Sequence, residues 1–115
     1  MKQLKLHRQC THDRLTNFGF RKYGLNYKLF LPLYERNSQT LIEAEFLASP
    51  VDNYIGYDVV DVCNNTLYTA YYDREYTDEN KNKVYREVLN RLSNIMDELV
   101  KAKIIRKKVI WLWKK

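Results

Sequence analysis

Apolar positions recur at period two through the middle of this chain and at spacings of three and four through its last third. In residues 27–34, Tyr27, Leu29, Leu31 and Leu33 fall on one side, as in a strand half-buried on a core. Pro32 lacks an N–H, which places that strand at a sheet edge. Residues 36–39 are polar and of hairpin length. Residues 40–48 then alternate again, with Ile42, Ala44, Phe46 and Ala48 facing one way and Glu43 and Glu45 the other. After a turn at 49–53, residues 54–63 are rich in the aromatic and β-branched side chains that suit a pleated surface. Asn64 and Asn65 suit a type I′ turn, and residues 66–72 read as a fourth strand.

From Asp78 the period changes. Val84, Val88, Leu89, Leu92, Ile95, Met96 and Leu99 form one helical stripe, with Thr77 or Asp78 as N-cap and Glu79 at the positive end of the dipole. Glu87 with Arg91 and Asp97 with Lys101 are spaced for i,i+4 pairs. Toward the N-terminus residues 2–18 show a loose helical pattern, in which Leu4, Leu15 and Phe18 suggest one face of a short helix or two turns, broken at Asn17 and Gly19, with Gly24 as further punctuation. The tail, 104–115, is basic and β-branched and reads as a short strand or an extended segment. The expected fold is α+β: a four-stranded antiparallel meander, five-stranded with the tail, packed against a long C-terminal helix, with a short N-terminal helix. It forms one domain of residues 1–115, with a helical lead-in at 1–20, the sheet at 21–75, the amphipathic helix at 78–103 and the tail at 104–115.

Charge sharpens this outline. The formal charge of +6 divides into +5 over residues 1–35, −7 over 36–79 and +8 over 80–115. An acidic sheet between two basic ends makes an uneven field. No apolar run approaches a membrane span or a secretory signal. Two cysteines, Cys10 and Cys63, are too few for a disulfide scaffold, so a cytoplasmic protein with reduced thiols is expected.

Candidate chemistry is sparse. His7, Cys10 and His12, with Cys63 as a fourth ligand, fit no common zinc spacing, and Cys10 has no evident orienting group for a nucleophile. Glu43 with Glu45, and Asp58 with Asp61, read as a solvated face unless one of them is desolvated. Three glycines, Gly19, Gly24 and Gly56, could hardly build a phosphate-cradling loop. No cofactor, no metal and no enzymatic activity are expected. Tyrosine is the better signal: Tyr54, Tyr57, Tyr68, Tyr71 and Tyr72 crowd the third and fourth strands, and exposed ones are anchors for partners.

The order Phe18-Gly-Phe-Arg-Lys22, Tyr27, Pro32-Leu-Tyr34, a strand pair, Val60-Asp61, Tyr68 and a long helix resembles the domain that precedes the MmcQ/YjbR domain in many Firmicutes proteins, over residues 18–101. In that family the downstream domain is the one likened to a DNA-binding, CyaY-like fold, and residues 1–115 hold no counterpart of it. The resemblance implies an α+β sheet-and-helix fold with no established activity.

The leading expectation is a small non-enzymatic binding module for a protein or nucleoprotein partner. Its size and its Asn-, Lys- and Tyr-rich composition are reminiscent of phage or mobile-element accessory proteins, anti-CRISPR inhibitors among them. Arg86, Arg91, Lys103, Arg106, Lys107, Lys108, Trp111 and Trp113, with Tyr71 and Tyr72, would bind the partner. Glu43, Glu45, Asp58, Asp61, Asp73 and Glu75 would form an acidic contact patch. The alternative is direct nucleic-acid binding, in which the basic groups neutralise phosphates while the indoles stack on bases. A membrane partner is not expected. A homodimer through an open strand edge at Pro32 or the tail is a further expectation.

Overall fold

Strands β3 (Asn26–Arg36) and β4 (Gln39–Ser49) form the hairpin on which the rest is built. This computed structural model describes residues 1–73 and 83–106. Asn37 and Ser38 both take positive φ, 53° and 64°, which closes β3 onto β4 as a two-residue type I′ turn. Ser38 is strained in that region, so Ser38→Gly is expected to raise stability by about 0.5–1 kcal/mol, read as a higher thermal midpoint.

Strand β5 (Tyr54–Asp61) lies on the other side of β4, so the expected meander is present. Among the described residues the sheet has six strands in the order β1-β5-β4-β3-β2, with β6 also on β5, and all pairings are antiparallel. Strand β2 (Arg21–Tyr23) is tied to β3 through Gly24 and Leu25, and it covers only Asn26–Lys28. Beyond that cover Pro32 lies on the free side of β3, as its missing N–H requires, and a bulge between Pro32 and Glu35 bends the strand further.

Three expectations are corrected. Residues 2–18 do not form one helix: Lys2–Lys5 is strand β1, paired with Tyr54–Tyr57, and only His12–Phe18 is helical, as α1. Leu4 and Leu6 are both buried and alternate with polar neighbours, which is strand periodicity rather than one helical stripe. Asn64 and Asn65 are not the centre of a type I′ turn, because only Asn65 has positive φ; Asp61 and Thr66 are joined by a four-residue loop. The fourth strand does not run over 66–72. It stops after Thr66–Leu67 (β6), and Thr69–Tyr72 is a single helical turn, α2.

Helix α3 (Lys83–Lys101) covers one face of the sheet. It buries Val88, Leu92, Ile95, Met96 and Leu99, most of the expected stripe, against a core that includes Ile42, Ala44, Phe46, Tyr57 and Val59, and it buries Tyr85 as well. The expected caps Thr77, Asp78 and Glu79 lie outside the described residues. Two residues earlier than expected, the helix ends in a Schellman turn. Lys103 is left-handed at φ 61°, its N–H donates to Val100 O, and the Ile104 N–H donates to Leu99 O. That turn drives Ile104 and Ile105 into the core, where Ile105 bridges Leu6 and the Arg106 N–H donates to Lys5 O. The tail beyond Arg106 lies outside the described residues.

Candidate functional site

The outward edge of β5 has three different covers. β1 pairs with Tyr54–Tyr57, β6 with Val60 and Asp61, and neither reaches Asp58 or Val59. A buried backbone group cannot be left without a partner, and the gap is filled by the segment after β6. The Tyr68 N–H donates to Val59 O at 2.8 Å, and the Val59 N–H donates to the Tyr72 hydroxyl at 2.9 Å. Tyr72 in turn donates to Asp58 Oδ1 at 3.3 Å. Beside it the hydroxyls of Tyr57 and Tyr71 share a hydrogen bond of 2.6 Å. Burial pushes all three phenols up, Tyr72 to about 12 with the Asp58 carboxylate adding to the effect. Lys2 Nζ sits 5.4 Å from the Tyr71 ring centroid, and Met1, Lys2, Tyr71, Tyr72 and Asp73 line an open cavity of about 350 Å³. Tyr71 and Tyr72, expected as partner anchors, are thus half-buried and already committed to holding α2 on the sheet.

The predicted acidic patch divides. Glu43, Glu45 and Asp58 do share the sheet face turned away from α3, with Glu45 directly opposite Asp58. Glu43 is half-buried there, and burial and the neighbouring Glu45 push its carboxyl up. Asp61 instead accepts from Asn64 in the β5–β6 loop, Asp73 lies by the tyrosine cavity, and Glu75 is outside the described residues. Around the carboxylates the same face carries Phe30, 56% exposed, with half-buried Pro32, Leu47 and Val60. Phe30 was legible as the outward partner of inward Leu29 and Leu31.

The predicted basic set divides too. Arg91 turns to the sheet, donating to Pro32 O and approaching Glu35 at 3.9 Å, and Arg86 is exposed near the start of α3. Both lie a long way from the helix end, since Arg86 and Lys101 are separated by roughly 22 Å of helix rise. Lys103 and Arg106 are at that end, and Lys107, Lys108, Trp111 and Trp113 lie outside the described residues. The fold brings Lys103 and Arg106 to basic groups from the first 35 residues. The Arg106 Nε donates to Leu6 O, the His7 N–H to Ile104 O, and Arg14 shares a 250 Å³ cavity with Asn17, Phe18 and Ala102. Arg8 is exposed on the same loop. The strongly positive first segment is the signal that could have found Arg8 and Arg14. Among the described residues, none of Arg8, Arg14, Lys103 and Arg106 makes an ion pair with a carboxylate, although Asp13 is exposed on α1 beside Arg14.

The histidines and cysteines are dispersed. His7 Nδ1 accepts from the Gln9 N–H, His12 Nδ1 lies 2.7 Å from the Tyr27 hydroxyl, and Cys63 is exposed on the β5–β6 loop. Burial pushes the Cys10 thiol up, against a smaller opposing effect of Arg14, which disfavours a thiolate at neutral pH. Among the described residues no three of His, Cys, Asp and Glu converge as a metal site, and no helix is long and apolar enough to cross a membrane.

No family model matches the chain, and no curated protein sequence matches it. Among solved structures it is similar to a DUF1831-family protein from Lactobacillus plantarum, with a TM-score of 0.64 and 14% identity over 87% of this chain and 82% of that one. The likeness is one of fold: an α+β architecture with an antiparallel sheet and a long C-terminal helix.

Proposed function

We propose that this chain is a non-enzymatic binding module whose basic end engages an anionic surface of a nucleoprotein partner. The observation that carries this reading is the meeting of Arg8, Arg14, Lys103 and Arg106 where the start of the chain bridges the end of α3. Two segments far apart in sequence and alike in charge are held together there by buried Ile104 and Ile105. Keeping like charges together costs free energy that a bound polyanion recovers as phosphates replace repulsion and counterions are released. Arg106 is fixed to Leu6 O, so it presents its charge at a set place, while Lys103 and Arg8 stay exposed. The accessory-protein reading, anti-CRISPR inhibition included, has its support in size and composition, and the geometry adds nothing to it.

Direct contact with nucleic acid is tested by fluorescence anisotropy with duplex and single-stranded oligonucleotides across a range of salt. The expected result is sequence-independent binding that weakens steeply with salt, at a log–log slope of about −0.9 per duplex phosphate contacted. Arg8→Glu with Lys103→Glu is expected to flatten the slope by roughly two contacts. Absence of binding to either oligonucleotide at low salt would overturn the reading.

A further inference from the structure

The sheet face opposite α3 carries charges of both signs, and they are sorted. Strand alternation and register place Arg21, Lys28 and Lys5 on that face toward one end of the strands. Glu43, Glu45 and Asp58 lie on it further along. Between and around them are Phe30, Leu47, Val60 and Leu67, with Phe30 56% and Leu67 45% exposed. Among the described residues no helix packs on this face, where the Met1 side chain lies over Gly56, and the buried residues of α3 other than Tyr85 join the core on the other side.

We propose that this face is a self-association surface on which a second copy of the chain docks face to face about a two-fold axis, with Arg21 and Lys28 of each copy against Glu43 and Glu45 of the other. A two-fold interface must be complementary to itself. A face of one sign cannot be, whereas a face with its cations at one end and its carboxylates further along becomes so once the partner is turned over. Docking also relieves a conflict within each copy. Glu43 and Glu45 stand two residues apart on one strand, half-buried and side by side. A guanidinium or ammonium from the second copy neutralises them, and the apolar side chains around them leave water.

The geometry favours the face over the edges. Pro32 and the adjoining bulge interrupt the free edge of β3, so strand-to-strand pairing there lacks a regular ladder. Two sheets pack face to face about 10 Å apart, within reach of Lys and Arg side chains. Four strand spacings by some ten residues give on the order of 600 Å² per copy, somewhat below the ~800 Å² of a standard interface. The dimer is therefore a reversible one that dissociates on dilution.

Sedimentation equilibrium of the full chain tests this, independently of any nucleic-acid binding. The mass is expected to rise toward that of two chains with concentration and to fall again at high salt. Arg21→Glu with Lys28→Glu makes the face predominantly acidic, with Lys5 unchanged, and Glu43→Lys with Glu45→Lys makes it predominantly basic, with Asp58 unchanged. Each variant, checked for folding by circular dichroism, is expected to self-associate at least about tenfold more weakly. Mixed, they are expected to form a heterodimer, because each supplies the charges the other lacks. If either double variant fails to fold, Lys28→Glu mixed with Glu45→Lys makes the same comparison. A wild-type chain that stays monomeric up to millimolar concentration, or folded variants that do not associate on mixing, would overturn the proposal.

Discussion

Truncating Phe46 to alanine is expected to cost about 3–5 kcal/mol of folding stability, the largest effect of any substitution considered for this chain. The side chain is 1% exposed on β4, the middle strand of the sheet, with Leu29 opposite it on β3 and Tyr57 opposite it on β5. Its ring meets Tyr57 at 5.7 Å between centroids and Phe20 edge-on at 6.4 Å. It therefore joins the segment after α1, the centre of the sheet and the strand that carries the tyrosine cluster. Backbone ladders on both sides of β4 keep the neighbouring strands from closing inward, so most of the vacated volume stays empty. Against a total of ~5–15 kcal/mol for a typical domain, such a loss is a large share. Urea denaturation of Phe46→Ala beside Phe30→Ala makes the check. Phe30, one strand away but outward, is expected to cost only about 0.5 kcal/mol or less. Equal losses would mean that the two faces of the sheet are wrongly assigned.

That contrast was readable from the chain alone. Alternation in residues 27–34 and 40–48 predicts which side chains β3 and β4 bury, and the three-and-four spacing after residue 83 gives the buried stripe of α3. Both patterns are local, and the buried face is set by them directly. The features that eluded the sequence depend on partners far along the chain. Residues 68–72 are aromatic and would suit a strand, but β1 arrives from the N-terminus and takes the edge of β5 at Tyr54–Tyr57. β6 is left room for two residue pairs, and the chain turns into α2. The same distance effect hid the basic end. Lys103 and Arg106 were legible as basic, yet only the bridge from Leu6 to Ile105 brings Arg8 and Arg14 to them. Leu4 and Leu6 do show strand alternation, a signal outweighed by grouping Leu4 with Leu15 and Phe18 at helical spacing.

Removing one hydroxyl at the gap in β5 tests the other large effect. Tyr72→Phe keeps the ring and its edge-on contact with Tyr71 at 5.2 Å, but it takes away the acceptor of the Val59 N–H. Val59 is fully buried, and the strands on either side of the gap cannot reach it. The N–H is left unpaired, at a cost of about 1–3 kcal/mol. The ionisation of the same hydroxyl gives a second signature. Its pKa in the folded chain is pushed up to about 12 from the ordinary 10.0, so the folded state holds the proton more tightly than the unfolded one. Stability from this group is then fully present below pH 10 and is lost as pH rises through the folded value. Tyr57 and Tyr71 are raised as well and act in the same direction. Chemical denaturation at a series of pH values is expected to show a fall in stability beginning near pH 10, shallower in Tyr72→Phe because one of the three phenols is gone. A fall of the same steepness in both proteins would mean that Tyr72 is not the group that closes the gap. An unchanged stability at neutral pH would mean that Val59 has found another acceptor, and α2 would then be held to the sheet by the Tyr57–Tyr71 pair and the Tyr68 N–H bond to Val59 O.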